Sequence, residues 1–468
     1  MKNQPVLKIE NPTFLKLLYL AIGITAGIVL SMLIFPERSA EKDSVPSGIQ
    51  VHSTIPAEGD WAASTTPVSI AFSQDVDREA VENSFHMEPA ASGEVSWNGS
   101  MLTFFPAAPL IEDETYRVIL DSPVHSSEGQ LLSPSLDFSF NVRTAKIIFL
   151  HPSDTHSQLW ISEKPYSPDN ARQLTSQEGA VIDYTAAKDG SFLVYQTRSP
   201  EGIDSLWSLS PYSGDEKMLL DCGSDTCRFP VLSPDGNLLA FFRISSNNTP
   251  GADGGLWLLN LANGTSTLLV AGEADLWDEP SWSSDNSKLA FADTTIQGIY
   301  ILDLLSDQHE ILPSSMGISG NWSPDGTIYM FSDLAMTGSQ PLGVIYQADI
   351  EGKSIKQLFD TEDSINSYTV PVLSPDSRWL LTGVHNNSTG PGYQLVLYSF
   401  PDLISRQITS EPEFTFGAAV WHPSSNSFLF QKIENLNPDA VPSIWLHNLE
   451  SGTAVQIIEN AYLPDWLP

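Results

Sequence analysis

Short apolar runs separated by polar turns fill the chain from about residue 50 to its end. Pro67-Val-Ser-Ile-Ala-Phe72, Met101-Leu-Thr-Phe-Phe105, Thr115-Tyr-Arg-Val-Ile-Leu120 and Leu136-Asp-Phe-Ser-Phe-Asn-Val142 alternate apolar and polar residues. That is the period of a strand with one buried face. About seven such strands within 51–145 predict a β-sandwich, with a single helical turn at Arg78 to Phe85. One run breaks the pattern. Leu17 to Phe35 is 19 residues without a charge. As a helix it would cover about 28 Å, close to the ~30 Å hydrocarbon core of a membrane.

That run predicts an anchor. Lys2, Lys8 and Lys16 precede it and only Glu10 opposes them. The positive-inside rule then expects residues 1–16 in the cytoplasm, a single-pass transmembrane helix at 17–35 and the bulk of the chain outside. Residues 36–50, with Pro46 and Gly48, read as a linker. A cleaved signal peptide is the competing expectation, but its apolar core would be about 7–15 residues long.

Beyond residue 146 one unit recurs. Pro230-Val-Leu-Ser-Pro-Asp-Gly236 is followed by Leu238-Leu-Ala-Phe-Phe242, and Pro280-Ser-Trp-Ser-Ser-Asp-Asn286 by Leu289-Ala-Phe291. Further copies turn at Asp189, Asp325, Asp376 and Ser424. Each unit holds four short strands in about 46 residues, which is a β-propeller blade. Pro presets φ, Asp or Asn tolerates the next position and Gly allows φ > 0, so the motif is a hairpin turn and its Asp residues are turn formers. The last residues, Tyr462-Leu-Pro464-Asp-Trp466-Leu-Pro468, copy only a first strand, and the segments starting at Lys146, Gln158 and Ala171 supply the other three. The expected fold is therefore all-β: a transmembrane helix, an Ig-like sandwich at 51–145, and a seven-bladed propeller at 146–468 closed by pairing of its two ends. Six blades are the alternative.

Two resemblances follow from these residues. Ile55-Pro56, Gly59, Phe72-Ser73, Phe85, Pro89, Gly93, Trp97, Pro106, Thr115-Tyr116 and Phe138-Ser139-Phe140 make residues 51–145 resemble the bacterial Ig-like domains of S-layer and other envelope proteins. The resemblance implies a spacer or adhesive module. The repeats of 146–468 resemble the WD-like propeller repeats of TolB-type periplasmic proteins, which implies binding of other proteins in the envelope.

Composition and missing motifs narrow the chemistry. The net charge is −35, from 57 Asp and Glu against 22 Lys and Arg. Such a chain lacks the basic surface that phosphate binding needs, so nucleic acid is excluded as a partner. There is no G-x-S-x-G, H-E-x-x-H, P-loop or EF-hand loop, so no catalytic residue, metal or other cofactor is expected. Cys222 and Cys227, with four residues between them in a loop, are expected to form a disulfide. Strand order places the long connections, 245–255, 333–343, 385–392 and 433–442, on one face together with the links between blades. At the ends of those links stand Arg228, Glu279, Tyr368 and Phe416, the candidate ligand-binding residues. The expected function is a membrane-anchored binding or scaffold protein for an envelope protein or peptide. The alternatives are a propeller glycosidase or lyase acting on cell-surface polysaccharide, and an adhesive or structural component that binds polysaccharide.

Overall fold

The computed structural model describes residues 49–468 apart from 122–123, 127–128, 130, 133–134, 155, 247–253, 307, 338–339, 360–365 and 387–389. The chain divides into two compact units, with the boundary between Thr144 and Ala145.

The first unit is a sandwich of two four-stranded sheets. One sheet runs Val51–Ile55, Val68–Phe72, Met101–Pro106, Gly93–Asn98, and the other Trp61–Ala62, Asp137–Val142, Thr115–Leu120, Phe85–Glu88. The alternation seen in the sequence is the packing: Val68, Ile70 and Phe72 face inward, as do Tyr116, Val118 and Leu120. Phe104 and Phe140 join them in one core. The expected helical turn is a seven-residue helix, Arg78–Ser84, capped by the Asp77 carboxylate, which accepts from the Ala80 N–H at 3.2 Å. Ile49, expected in the linker, is fully buried and hydrogen-bonds through its N–H to the Leu131 carbonyl at 3.0 Å.

The membrane expectation is corrected. Residues 17–35 lie outside the described residues. Among the described residues no helix is long and apolar enough to cross a membrane; Arg78–Ser84 spans about 10 Å against the ~30 Å required. Neither a transmembrane helix in the fold class nor a single-pass, extracytoplasmic localisation is retained. What the structure supports is an all-β chain.

Among the described residues the second unit holds seven sheets, each a blade. We number them by their innermost strands: blade 1 from Ala180–Ala186, blade 2 from Thr226–Leu232, blade 3 from Ser281–Trp282, blade 4 from Asn321–Trp322, blade 5 from Asn366–Tyr368 and Val372–Leu373, blade 6 from Phe414–Trp421. In blade 7 the last strand of the chain, Tyr462–Leu467, pairs antiparallel with Lys146–His151, and Gln158–Ser162 and Ala171–Gln173 complete the sheet. Both ends of the unit thus build one blade, which leaves no open edge at the join.

The turn motif does two jobs. In blades 2 to 5 the buried Ser233, Ser283, Ser323 and Ser374 each donate to the Asp two residues on and accept the N–H that opens the next strand. Burial pushes the Asp285 carboxyl up, but hydrogen bonds from Ser283 and Ser287 outweigh it and hold its pKa below the usual value. The second job is stitching. The indole N–H groups of Trp282, Trp322, Trp421 and Trp466 donate to the carbonyls of Val231, Ser281, Val372 and Val420 in the preceding blade, at 3.2–3.3 Å. Each of these bonds ties a blade to the one before it.

Candidate functional site

Every inner strand is irregular at the same level. Blades 1, 2, 6 and 7 carry register shifts at Val181/Asp183, Arg228/Val231, Gly417/Val420 and Tyr462/Asp465. Three of these bulges hold a non-glycine residue at positive φ: Phe229 at 52°, Ala418 at 45° and Leu463 at 47°. In blades 3 and 4 the strand is only two residues long, and in blade 5 it is split. Bulges re-aim side chains and end pairing. Left-handed conformations at ordinary residues cost about 1–2 kcal/mol each and collect at functional sites.

The irregular level encloses two adjoining cavities to which all seven blades contribute. The larger, about 880 Å³, is bordered by Asp183, Glu279, Asn321, Val370, Ala418 and Asp465 among others. The smaller, about 560 Å³, shares Asp183, Glu279 and Leu463 with it and adds Arg198, Arg228 and Phe229. This is the central channel of the propeller.

One register position supplies much of the lining. Six residues before the turn Asp or Ser of blades 1 to 6 stand Asp183, Phe229, Glu279, Ser319, Val370 and Ala418, and Leu463 takes the same place before Trp466. All but Ser319 line a cavity. The Ser319 N–H is turned to the Asp278 carboxylate at 2.7 Å.

Three carboxyl groups dominate the electrostatics. Burial pushes Asp183 up to about 7. Burial also raises Glu279 to about 7, helped by the charges of Asp183 and Asp278. Glu279 keeps an open surface toward the channel, so its desolvation comes from the protein walls around it. Burial raises Asp465 to about 6. Asp183 and Asp465 each accept the N–H of the residue that follows, at 2.8 Å. Among the described residues no Lys, Arg or His lines the larger cavity. Arg198, in the smaller one, is committed to the buried Asp204 at 2.7 and 3.0 Å. Among the described residues no three Asp, Glu, His or Cys side chains gather closely enough to hold a metal ion; the carboxyls are spread over blades 1, 3 and 7.

The four residues singled out from sequence are placed differently. Glu279 borders both cavities, and Arg228 borders the smaller one with its guanidinium 4.6 Å over the Phe229 ring. Tyr368 borders the larger cavity but is 7% exposed, its ring stacked on Phe359 at 4.8 Å. Phe416 is buried among Leu397, Trp421 and Phe430 and reaches neither cavity. Cys222 and Cys227 are bonded, Sγ–Sγ 2.01 Å, and buried in a blade core. The segment 333–343 is largely strand: Ile328–Thr337 and Gln340–Asp349 pair along ten residues each. Asp183 and Asp465 were missed. The signal for Asp183 was the repeat itself, since it precedes its turn by the same six residues as Glu279; Asp465 stands two residues past that position and had no such signal.

Sheets and channel together define a seven-bladed β-propeller preceded in sequence by an immunoglobulin-like sandwich. Residues 46–142 match the family described as Bacterial Ig-like domain. No curated protein matches the sequence at a significant level. Among solved structures, TolB from Acinetobacter baumannii is similar at 16% identity over 70% of this chain and 83% of its own, with a TM-score of 0.41. An oligogalacturonate lyase in complex with manganese is similar at 13% identity over 68% and 85%, TM-score 0.47. A periplasmic gluconolactonase from Pseudomonas aeruginosa is similar at 15% identity over 69% and 98%, TM-score 0.45. At these identities and scores the neighbours carry no activity to this chain, and the propeller rests on its own seven sheets.

Proposed function

We propose that the propeller is a binding module whose channel receives a segment of a partner protein or peptide. The observation that carries this reading is the cavity of about 880 Å³ at the level where every inner strand departs from regular pairing. A concave site with mostly apolar walls and a few convergent polar groups is the usual form of a ligand pocket. Its walls include Ile318, Val370, Val372 and Tyr393, which offer apolar contact, while Asp183, Glu279 and Asp465 supply the polar groups. The test is a photo-reactive residue in place of Ile318 in intact cells, followed by capture and mass spectrometry. A discrete protein crosslinked there, and lost in a Gly417→Trp variant, supports the reading. A Cβ at Gly417 meets no atom within 4 Å, so the indole fills the cavity without displacing the blade. Recovery of no protein above background refutes it.

The carboxyls favour a second reading, a glycosidase or lyase acting on polysaccharide. A general acid must hold its proton near neutral pH, and Asp183 and Glu279 both lie near 7. Release of sugar fragments by the wild-type chain, abolished in Asp183→Asn or Glu279→Gln, would establish it; absence of release from neutral and uronate-containing polysaccharides alike ends it.

A further inference from the structure

We propose that the channel is selective for a cationic group, the ammonium or guanidinium of a Lys- or Arg-bearing peptide segment. This rests on the binding reading above and adds the chemistry of the ligand. Three carboxyl groups border one cavity from blades 1, 3 and 7. Among the described residues no basic side chain lines it. A cluster of acids with no internal counter-charge is an unfavourable arrangement for an empty cavity, because each charge raises the cost of the next. A bound cation removes that cost.

A second observation comes from the opposite wall. Ser332 borders the same cavity and is 1% exposed. Its Oγ has no hydrogen-bond partner among the described residues. A buried hydroxyl left unpaired costs about 1–3 kcal/mol. A ligand N–H reaching that wall would satisfy it. The remaining walls are apolar or aromatic, Met316, Ile318, Val370 and Tyr393, and suit the methylene stem of a long basic side chain better than a hydrated inorganic ion. Arg228 borders the adjoining smaller cavity, where its guanidinium would turn away a second positive charge.

The groups facing one another set the pH dependence. Asp183 acts on Glu279, Tyr184 and Tyr462, Glu279 also feels Asp278, and Tyr184 feels Asp465. All are acids, so a cation binds best when the carboxyls are ionised. Affinity therefore rises from pH 5.5 to pH 8, and binding at pH 6.5 releases protons.

The experiment is a selection of random twelve-residue peptides displayed on phage, against the purified full chain at pH 7.5 and 150 mM salt. Survivors are measured against three proteins: wild type, Gly417→Trp, and the combined Asp183→Asn, Glu279→Gln, Asp465→Asn variant. The combined variant keeps 32 of the 35 net negative charges, so attraction to net charge alone would survive in it. We expect survivors to share a Lys or Arg position and to bind the combined variant at least tenfold more weakly than wild type. Survivors blocked by Gly417→Trp but bound equally by the combined variant would overturn the cation proposal and leave the channel reading standing. Survivors indifferent to Gly417→Trp, or none at all, would overturn both. Circular dichroism and an unchanged unfolding transition of the combined variant at pH 4.5, where wild-type carboxyls are protonated, separate lost binding from lost fold.

Discussion

Asp183→Asn should make the propeller more stable at alkaline pH while weakening its hold on a ligand. The side chain keeps its shape, and its Oδ1 still accepts the Tyr184 N–H at 2.8 Å. What disappears is the ionised form. The Asp183 carboxyl titrates at about 7 in the folded chain against an ordinary 3.8. A raised acid holds its proton longer when folded than when unfolded. It therefore costs nothing below about pH 4, and destabilises progressively as pH rises to 7 and fully above it. At 1.36 kcal/mol per pKa step the cost at pH 8 is about 4 kcal/mol. The channel admits water to part of the residue, which screens it to about 2 kcal/mol at pH 8 and about 0.5 kcal/mol at pH 4.5. For a unit of roughly 320 residues with an unfolding entropy of ~2.1 cal/mol/K per residue, 2 kcal/mol is about 3 °C in Tm. Thermal unfolding followed by calorimetry at pH 4.5 and pH 8 reads the difference. The variant should exceed wild type by about 3 °C at pH 8 and by less than 1 °C at pH 4.5. An equal gain at both pH values, or a loss at pH 8, refutes the claim that the charge is the cause.

Other perturbations test the scaffold. Replacing Cys222 and Cys227 together by Ser opens a loop of six residues whose sulfurs are buried; urea unfolding should show a loss of about 2 kcal/mol. Trp282→Phe keeps an aromatic ring but removes the N–H donated to the Val231 carbonyl at 3.2 Å and part of a buried side chain, and should cost at least about 1 kcal/mol in the same assay. Ser283→Ala deletes a hydroxyl that donates to Asp285 at 2.6 Å and accepts the Lys288 N–H at 2.9 Å; we expect a loss of about 2 kcal/mol and an upward move of the Asp285 pKa, read by carboxyl-carbon NMR.

The propeller was legible because its period is local. Each blade repeats the same hairpin, so the turn residues and the aromatic strands announce themselves every 40 to 51 positions. Closure by Tyr462–Leu467 was legible for the same reason, since Trp466 copies Trp282 and Trp322. The channel was less so. Tyr368 and Phe416 were chosen because they stand at the ends of blade links, yet they lie eight residues before their turns, where blade 1 has the buried Val181. The side chain of a strand alternates, and a bulge of one residue shifts which positions face inward. The position six residues before the turn lies where the inner strand is irregular, and six of its seven residues line a cavity. In the sandwich, strand alternation gave the sheets, but nothing local marked the two-residue strand Trp61–Ala62, which pairs in parallel with Asn141 and Val142 across a long stretch of sequence.

Why the lining varies while the turns do not follows from their separate constraints. Three residues C-terminal to the bulge position, Trp282, Trp322, Trp421 and Trp466 each donate to a carbonyl of the preceding blade. Six residues on, Ser-x-Asp hydrogen bonds lock the hairpin. Both contacts are needed to keep the blade in the ring, so their residue types recur. The bulge position makes neither contact. It carries Asp, Phe, Glu, Ser, Val, Ala and Leu in turn, seven choices that the ring does not dictate. A scaffold held rigidly on either side of a free position is how a binding surface changes its chemistry without changing its fold. The two acids at Asp183 and Glu279 destabilise the folded chain when ionised, and neither the stitching nor the hairpin requires them. Both border the channel cavities, where the proposed ligand would meet them.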